Sequence, residues 1–268
     1  MSASRHERSA TIVSARGIVT RFGAQHVHDH LDLDVFAGEV VGIAGSSGAG
    51  KSVLLKTLVG LHRPDAGRVQ IDGKDVDRLE PADKASLLGV LFQQGALFSS
   101  LSVAQNIMLP MREHTRASIP QQEQAAAMKL ALVGLSADSG AKSPADLSGG
   151  MAKRAALARA LALDPRVLFL DEPTADLDAV SAGGFDELIV HLNQSLNVTV
   201  VLVTHDLATL FAVCHRVAVL VEGRLVVDTP RALLRSSQPW IREFLHGPRA
   251  QAAWVASENA RRRNHGNR

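Results

Sequence analysis

The stretch Val40-Val41-Gly42-Ile43-Ala44-Gly45-Ser46-Ser47-Gly48-Ala49-Gly50-Lys51-Ser52 decides the fold. Its first five residues form an apolar run of strand length, and its last eight satisfy the pattern G-x-x-x-x-G-K-[ST]. A helical pattern follows from Lys51 to Val59. A bare glycine-rich turn between strand and helix is the plain alternative, but a phosphate loop needs this same context. The glycines let backbone N–H groups curl around phosphates without side-chain clash. Lys51 would reach the β- and γ-phosphates, the Ser52 hydroxyl would bind Mg²⁺, and the helix would turn its positive dipole end toward the anion. Gly45, Ser46, Ser47, Gly48, Ala49, Gly50, Lys51 and Ser52 are therefore the expected phosphate-binding residues.

A second apolar run, Val167 to Leu170, ends in Asp171-Glu172. Carboxylates at the C-terminal end of a parallel strand sit beside the phosphate loop of an α/β sheet. Asp171 is then placed to hold Mg²⁺ through water, and Glu172 to polarise the attacking water as a general base. A strand end followed by a turn at Asp-Glu-Pro would explain the same residues without chemistry, but phosphoryl transfer needs a metal carboxylate from somewhere. A third segment, Leu147-Ser148-Gly149-Gly150-Met151, separates this chain from kinases, GTPases and RecA-like ATPases. Ser148 is a good N-cap for the helix that runs through Ala152, Ala155, Ala156, Ala158 and Leu161, and Gly149 and Gly150 leave its first N–H groups uncovered. That makes a second anion site with no lysine of its own.

The order of phosphate loop, LSGG signature and D-E pair resembles the ATP-binding subunit of an ABC transporter. The resemblance implies an α/β P-loop (RecA-like) core with an antiparallel β subdomain and an inserted helical subdomain carrying the signature. It also implies ATP and Mg²⁺ as cofactors, and two copies packed head to tail. In that arrangement Ser148, Gly149 and Gly150 of one copy complete the site formed by the other's phosphate loop. Four further residues match family marks. Phe22 matches the aromatic that stacks on adenine, and Gln93 the glutamine linking the γ-phosphate and Mg²⁺ to the membrane partner. Asp178 matches the D-loop aspartate at the dimer seam, and His205 the switch histidine that contacts the γ-phosphate. Each has a bland reading: core packing for Phe22, a strand cap for Gln93, a helix start for Asp178, a structural histidine for His205. Seven marks in the family's order, from Phe22 to His205, outweigh those readings together.

At 268 residues and 46% apolar, the chain is long enough for a core with a subdomain and is neither disordered nor fibrous. No run of about eighteen apolar residues and no apolar signal core occur, so the chain is not expected to span or cross a membrane by itself; the family resemblance implies a place on the cytoplasmic face of the inner membrane, peripheral through a permease. Cys214 is the sole cysteine, which excludes an internal disulfide and fits a reducing compartment. A net charge of +2 gives no nucleic-acid signature. The basic residues gather at Arg261-Arg262-Arg263 and Arg268, read as a solvated tail.

Residues 11 to 93 read as mostly strands around the Lys51 helix, and residues 99 to 163 as a helical subdomain. Strand and helix then alternate to Val213, followed by a hairpin from Val217 to Val227 turning at Glu222-Gly223. One ABC domain is expected over 11–247, with 248–268 as an extension outside the common core. The cluster His26-x-His28-Asp29-His30 could put three imidazoles on one strand face, but no cysteine or carboxylate cluster accompanies it, and surface histidines are the expected account.

Leu91-Phe92-Gln93-Gln94-Gly95-Ala96-Leu97-Phe98, Leu109-Pro110-Met111-Arg112-Glu113-His114-Thr115 and Met151 resemble the Mla-type, Mce-associated lipid-transport subgroup. That resemblance implies a multispanning permease, a small STAS-domain regulator and an Mce-domain lipid carrier as partners. The D-loop Ala175-Asp176-Leu177-Asp178 is closer to general ABC importers, and Val53 stands where threonine is commonest. Transport of amino acids or lipoproteins, and a soluble ABC ATPase acting on nucleic acid or ribosomes, are the alternative readings. The chain has neither a second cassette nor a coiled-coil or zinc insertion, which counts against the last.

Overall fold

The computed structural model describes residues 10–93 and 95–266, with side chains through residue 259. Two long strands, β1 (Thr11–Phe22) and β2 (Gln25–Phe36), open the chain, followed by β3 (Val40–Gly45) and α1 (Lys51–Leu58). Next come β4 (Ala66–Ile71), β5 (Lys74–Asp75), α2 (Pro81–Leu87) and β6 (Leu88–Leu91). The short α2 interrupts a region that its sequence reads as mostly strand. It buries no residue, so it carries no apolar periodicity to detect, and only Pro81 at its first turn marks its start.

Helices α3 (Val103–His114), α4 (Ile119–Leu132) and α5 (Gly149–Ala160) make the helical region. Strand and helix then alternate through β7 (Val167–Asp171), α6 (Ala179–Leu196), β8 (Thr199–Val203) and α7 (Leu207–Val213). The hairpin β9 (Arg216–Val221) and β10 (Arg224–Asp228) follows, and α8 (Pro230–Leu233), α9 (Pro239–His246) and α10 (Pro248–Gly266) close the chain.

The strands form two sheets: an antiparallel one ordered β2-β1-β4-β5, and a six-stranded one ordered β10-β9-β3-β8-β7-β6 that is parallel except at β10. Both faces of the larger sheet are covered. Val41, Ile43, Phe169 and Val201 share one core with the antiparallel sheet and with Leu54, Leu55 and Leu58 of α1. Val40, Ala44, Leu168, Leu170, Val200 and Leu202 face the other core, with Ala155 and Leu157 of α5 and Phe185 of α6. Alternate residues of each strand thus enter different cores, which explains why β3, β7 and β8 read as unbroken apolar runs.

The α10 helix is not detached from this body. Ala250 is buried, and Trp254 meets Phe211 of α7 edge to face at 5.3 Å, so the extension covers part of the apolar surface of α7. The side chains of Arg261, Arg262 and Arg263, and the whole of Arg268, lie outside the described residues. Among the described residues no helix is long and apolar enough to cross a membrane.

Candidate nucleotide site

Topology gathers the site. In a parallel sheet all strands point their C-terminal ends the same way, and the loops after β3, β7 and β8 carry the phosphate loop, Asp171-Glu172 and His205 respectively. The loops are stitched together by backbone bonds from Glu172 N–H to the Val203 carbonyl and from Thr204 N–H to the Ile43 carbonyl.

Gly45, Gly48 and Gly50 all have positive φ, at 153°, 75° and 101°, a region that side-chain-bearing residues rarely enter. Ser46, Ser47 and Gly48 are exposed, with Ala49 half-buried behind them. Gly50 is the N-cap of α1 with no side-chain cap, so the first N–H groups of the helix are left open at the loop. Lys51 Nζ donates to the Gly45 carbonyl at 3.0 Å and the Ser46 carbonyl at 2.9 Å. Burial lowers its pKa, opposed by the nearby Glu172 and Asp171 carboxylates.

Ser52 Oγ donates to Asp171 Oδ1 at 3.1 Å, which brings together at the foot of the loop two hard oxygens that could hold a cation. Burial raises the pKa of Asp171, the Ser52 bond lowers it, and Glu172 raises it further. A divalent cation between these groups would reverse that penalty. Among the described residues no group of three His, Cys, Asp or Glu side chains could hold a metal. Mg²⁺ fits such a sparse pair, because it keeps most of its waters and takes its other ligands from phosphates.

Glu172 has φ 47°, a left-handed conformation that costs a non-glycine residue energy and that clusters at working sites. Its carboxylate oxygens both lie 3.0 Å from His205 Nδ1, and since a carboxylate only accepts, the Nδ1 hydrogen points at it. The His205 side chain is 72% exposed and that of Glu172 13%. His205 is therefore no core histidine. Phe22 is likewise no core residue: it is 51% exposed at the end of β1, its ring 5.6 Å from that of His62.

The Gln93 side chain is exposed and bonds neither Ser52 nor Asp171, while its backbone carbonyl accepts from the buried Lys153 of α5. Gln94 lies outside the described residues. Ser148 caps α5, accepting from Met151 N–H at 3.3 Å, and both Ser148 and Gly149 are exposed. Asp178 caps α6 through the N–H groups of Val180 and Ser181. Gly149 and Gly150 lie against this segment, since a Cβ on them would meet Leu177 at 3.8 Å and Ser181 at 3.6 Å.

Three supporting residues escape a sequence reading. Lys153 sits two residues past the signature and looks like surface charge. Asn106 is buried, accepts from Phe98 N–H, and donates to the carbonyls of Phe98, Leu101 and Ser102, which shapes the loop after Gln93. His28 corrects the expectation of surface histidines: it is fully buried, while His26 and His30 are exposed. The three do not share a face, because the β1–β2 register shifts between Ile18 and Thr20 and His30 takes a left-handed φ of 49°.

A family model described as "ABC transporter" matches residues 28–175. The chain is 41% identical over 250 residues to the probable ribonucleotide transport ATP-binding protein mkl of Mycobacterium leprae, covering 92% of this chain and 72% of that one. It is 37% identical to the intermembrane phospholipid transport system ATP-binding protein MlaF of Haemophilus influenzae, covering 88% and 90%. The MlaF of Escherichia coli K12 is 35% identical, covering 89% and 90%. Among solved structures, the ATP-binding cassette MJ0796, in a dimer bound to ADP and Pi, superposes with a TM-score of 0.74 at 29% identity, covering 81% of this chain and 98% of that one. The cbiO1 protein of Clostridium perfringens gives 0.76 at 26%, covering 92% and 98%. A phosphate loop, a D-E strand end and a signature helix on this P-loop NTPase scaffold, with these relatives, make the chain an ATP-binding and hydrolysing subunit of the ABC transporter family.

Proposed function

We propose that two copies of this chain close over two ATP molecules and drive a membrane permease that moves phospholipid. The observation that carries the ATPase half is the meeting of Lys51, Ser52, Asp171, Glu172 and His205 at one end of the parallel sheet. Ser148 and Gly150 open the exposed start of α5, an unfinished anion site that suits the phosphate end of a nucleotide held by a second copy. Asp178 would lie at that seam.

Phe22 offers its exposed ring to the adenine, and the N–H groups from Ser46 to Ser52 take the phosphates. Lys51 leaves its two carbonyl acceptors for the β- and γ-phosphates, which offer it full negative charge instead of dipoles. Mg²⁺, held by Ser52, Asp171 and the Gln93 side chain, would neutralise charge building on the phosphate oxygens. Glu172 takes the proton of the attacking water. His205 holds the Glu172 carboxylate in place through Nδ1, and its Nε2 is free to contact the γ-phosphate.

The cargo reading rests on the relatives and on one groove. Phe92, Ala96, Phe98, Leu109, Pro110 and His114 line an apolar cleft of about 490 Å³, formed by the segments that resemble the Mla-type subgroup. A short permease helix docking there would couple closure of the pair to the membrane, at the cytoplasmic face of the inner membrane. An Mce-domain lipid carrier and a STAS-domain regulator would complete the assembly. The name of the mycobacterial relative favours ribonucleotide as the second reading.

Mass spectrometry of the proteins and lipids copurifying with this chain from detergent-solubilised native membranes tests the proposal. A permease with an Mce-domain protein and bound phospholipid is the expected result. A permease carrying ribonucleotide would keep the motor and overturn the cargo, and ribosomes or DNA without any permease would overturn transport.

A further inference from the structure

The buried histidine of β2 has no place in the mechanism so far. His28 Nε2 lies 3.2 Å from the Gly50 carbonyl, and Nδ1 lies 3.0 Å from Thr20 Oγ1 of β1. A carbonyl only accepts, so Nε2 carries the hydrogen, and in the neutral ring Nδ1 must then accept from the Thr20 hydroxyl. Burial lowers the pKa of His28, the Gly50 bond opposes that, and the neighbouring His62 adds to it. The neutral ring with both nitrogens satisfied is thus the stable form.

Gly50 is the residue on which the phosphate loop turns into α1. Its carbonyl accepts from Leu54 N–H at 2.8 Å inside the helix and spends its remaining lone pair on His28. Across a trans peptide the carbonyl and the next N–H point in opposite directions. Fixing the Gly50 oxygen against β2 therefore fixes the Lys51 N–H on the opposite side. The contact is tight as well: a Cβ on Gly50 would come within 2.2 Å of Val27 Cγ1 and 3.0 Å of His28 Nε2.

We propose that His28 is a positioning residue for nucleotide binding, donating from Nε2 to the Gly50 carbonyl so that the Gly50–Lys51 peptide is set before the phosphates arrive. It touches no phosphate itself. Its effect is pre-organisation: without the donor the loop samples other orientations, and the cost of ordering it appears as weaker binding. The inference rests on the reading of Gly45 to Ser52 as the phosphate site.

The test compares His28→Leu, His28→Gln and His28→Asn in the full chain, measuring ATP affinity, KM, kcat and thermal midpoint. Leucine fills the space without a donor. Glutamine carries an N–H at a reach comparable to Nε2, and asparagine does not reach. We expect His28→Leu and His28→Asn to weaken ATP binding by about two- to twelve-fold, the worth of one neutral hydrogen bond, with kcat little changed. His28→Gln should recover most of that loss.

Wild-type affinity in His28→Leu, or equal losses in all three variants, would overturn the proposal, since the donor would then be irrelevant. Should His28→Leu fail to fold, the pair His28→Gln and His28→Asn decides: equal ATP affinity in the two would refute the role, since only glutamine brings an N–H within reach of the Gly50 carbonyl. Lys51→Ala serves as a separate control. Undiminished ATP binding in that variant would remove the phosphate-site reading itself, whatever His28 does.

Discussion

Two glycine-rich segments open helices in this chain, and they are built differently. At α1 the loop is backed by a buried histidine, its lysine is tethered to two carbonyls, and its serine is joined to a buried aspartate. At α5 the N-cap is satisfied by its own Ser148, with Ser148 and Gly149 exposed and only the D-loop segment behind. The first is supported from three strands of the fold and organised within one chain. The second has a defined backbone and exposed leading residues, and in our proposal a second copy completes it.

The sharpest break of this contrast acts on the organised half. Glu172→Gln keeps the shape and the hydrogen bond to His205 while removing the base, so turnover should fall by about 10²–10⁴-fold with ATP binding intact. Size-exclusion chromatography with ATP should then show a trapped dimer. Undiminished turnover would remove the base assignment.

The support beneath the loop is tested through Glu39. It is fully buried at the start of β3 and is bonded by Arg216 through both oxygens, while Arg216 also donates to the Asp34 carbonyl. Glu39→Ala leaves a partly buried guanidinium without its carboxylate, and denaturant unfolding should show a loss of about 3–5 kcal/mol. A loss under 1 kcal/mol, the value of a surface pair, would show that β3 does not depend on it.

The two halves are linked by a carboxyl between α6 and α7. Asp186 accepts from Thr209 Oγ1 at 3.0 Å, the same hydroxyl lies 3.4 Å from Asp206 Oδ2, and Asp206 caps the helix that follows His205. Burial raises the Asp186 pKa to about 7, with the Thr209 bond opposing and Asp206 adding. Because the folded-state value lies above the unfolded one, the folded state binds the extra proton. That contribution to stability is full below the ordinary carboxylate range and is lost as pH rises through about 7. The thermal midpoint should decline between about pH 4 and 7, and Asp186→Asn should flatten the decline. An unchanged slope in the variant would sink this account.

The smallest effect is expected at the open half. Ser148→Ala removes one cap and should lower stability by only about 1 kcal/mol. Its sharper use is in mixing: Lys51→Ala and Gly150→Glu proteins, each inactive alone, should regain part of the ATP turnover when combined, because one composite site is then intact. No recovery would mean that the signature serves its own chain.

Much of this was legible in the residues. The phosphate loop, the D-E strand end and the capped signature helix each carry a local rule, of glycine conformations, strand ends or N-caps, and the structure forms all three locally as the rules require. The supports were not legible. Lys153 and Asn106 belong to no motif and His28 reads as one of an exposed cluster, because their partners lie 60 residues away for Lys153 and 22 for His28, or in a loop shaped only by the finished fold.

The sequence by itself determined which groups are the candidates for chemistry, since phosphate binding and proton transfer demand particular side chains at short, fixed spacings. Only the tertiary structure decided where those groups stand. The parallel order β3-β8-β7 brings three loops together, and a register shift in β1–β2 buries one histidine of three. Sheet order and register are set by packing summed over both cores, and no short stretch of residues encodes that sum.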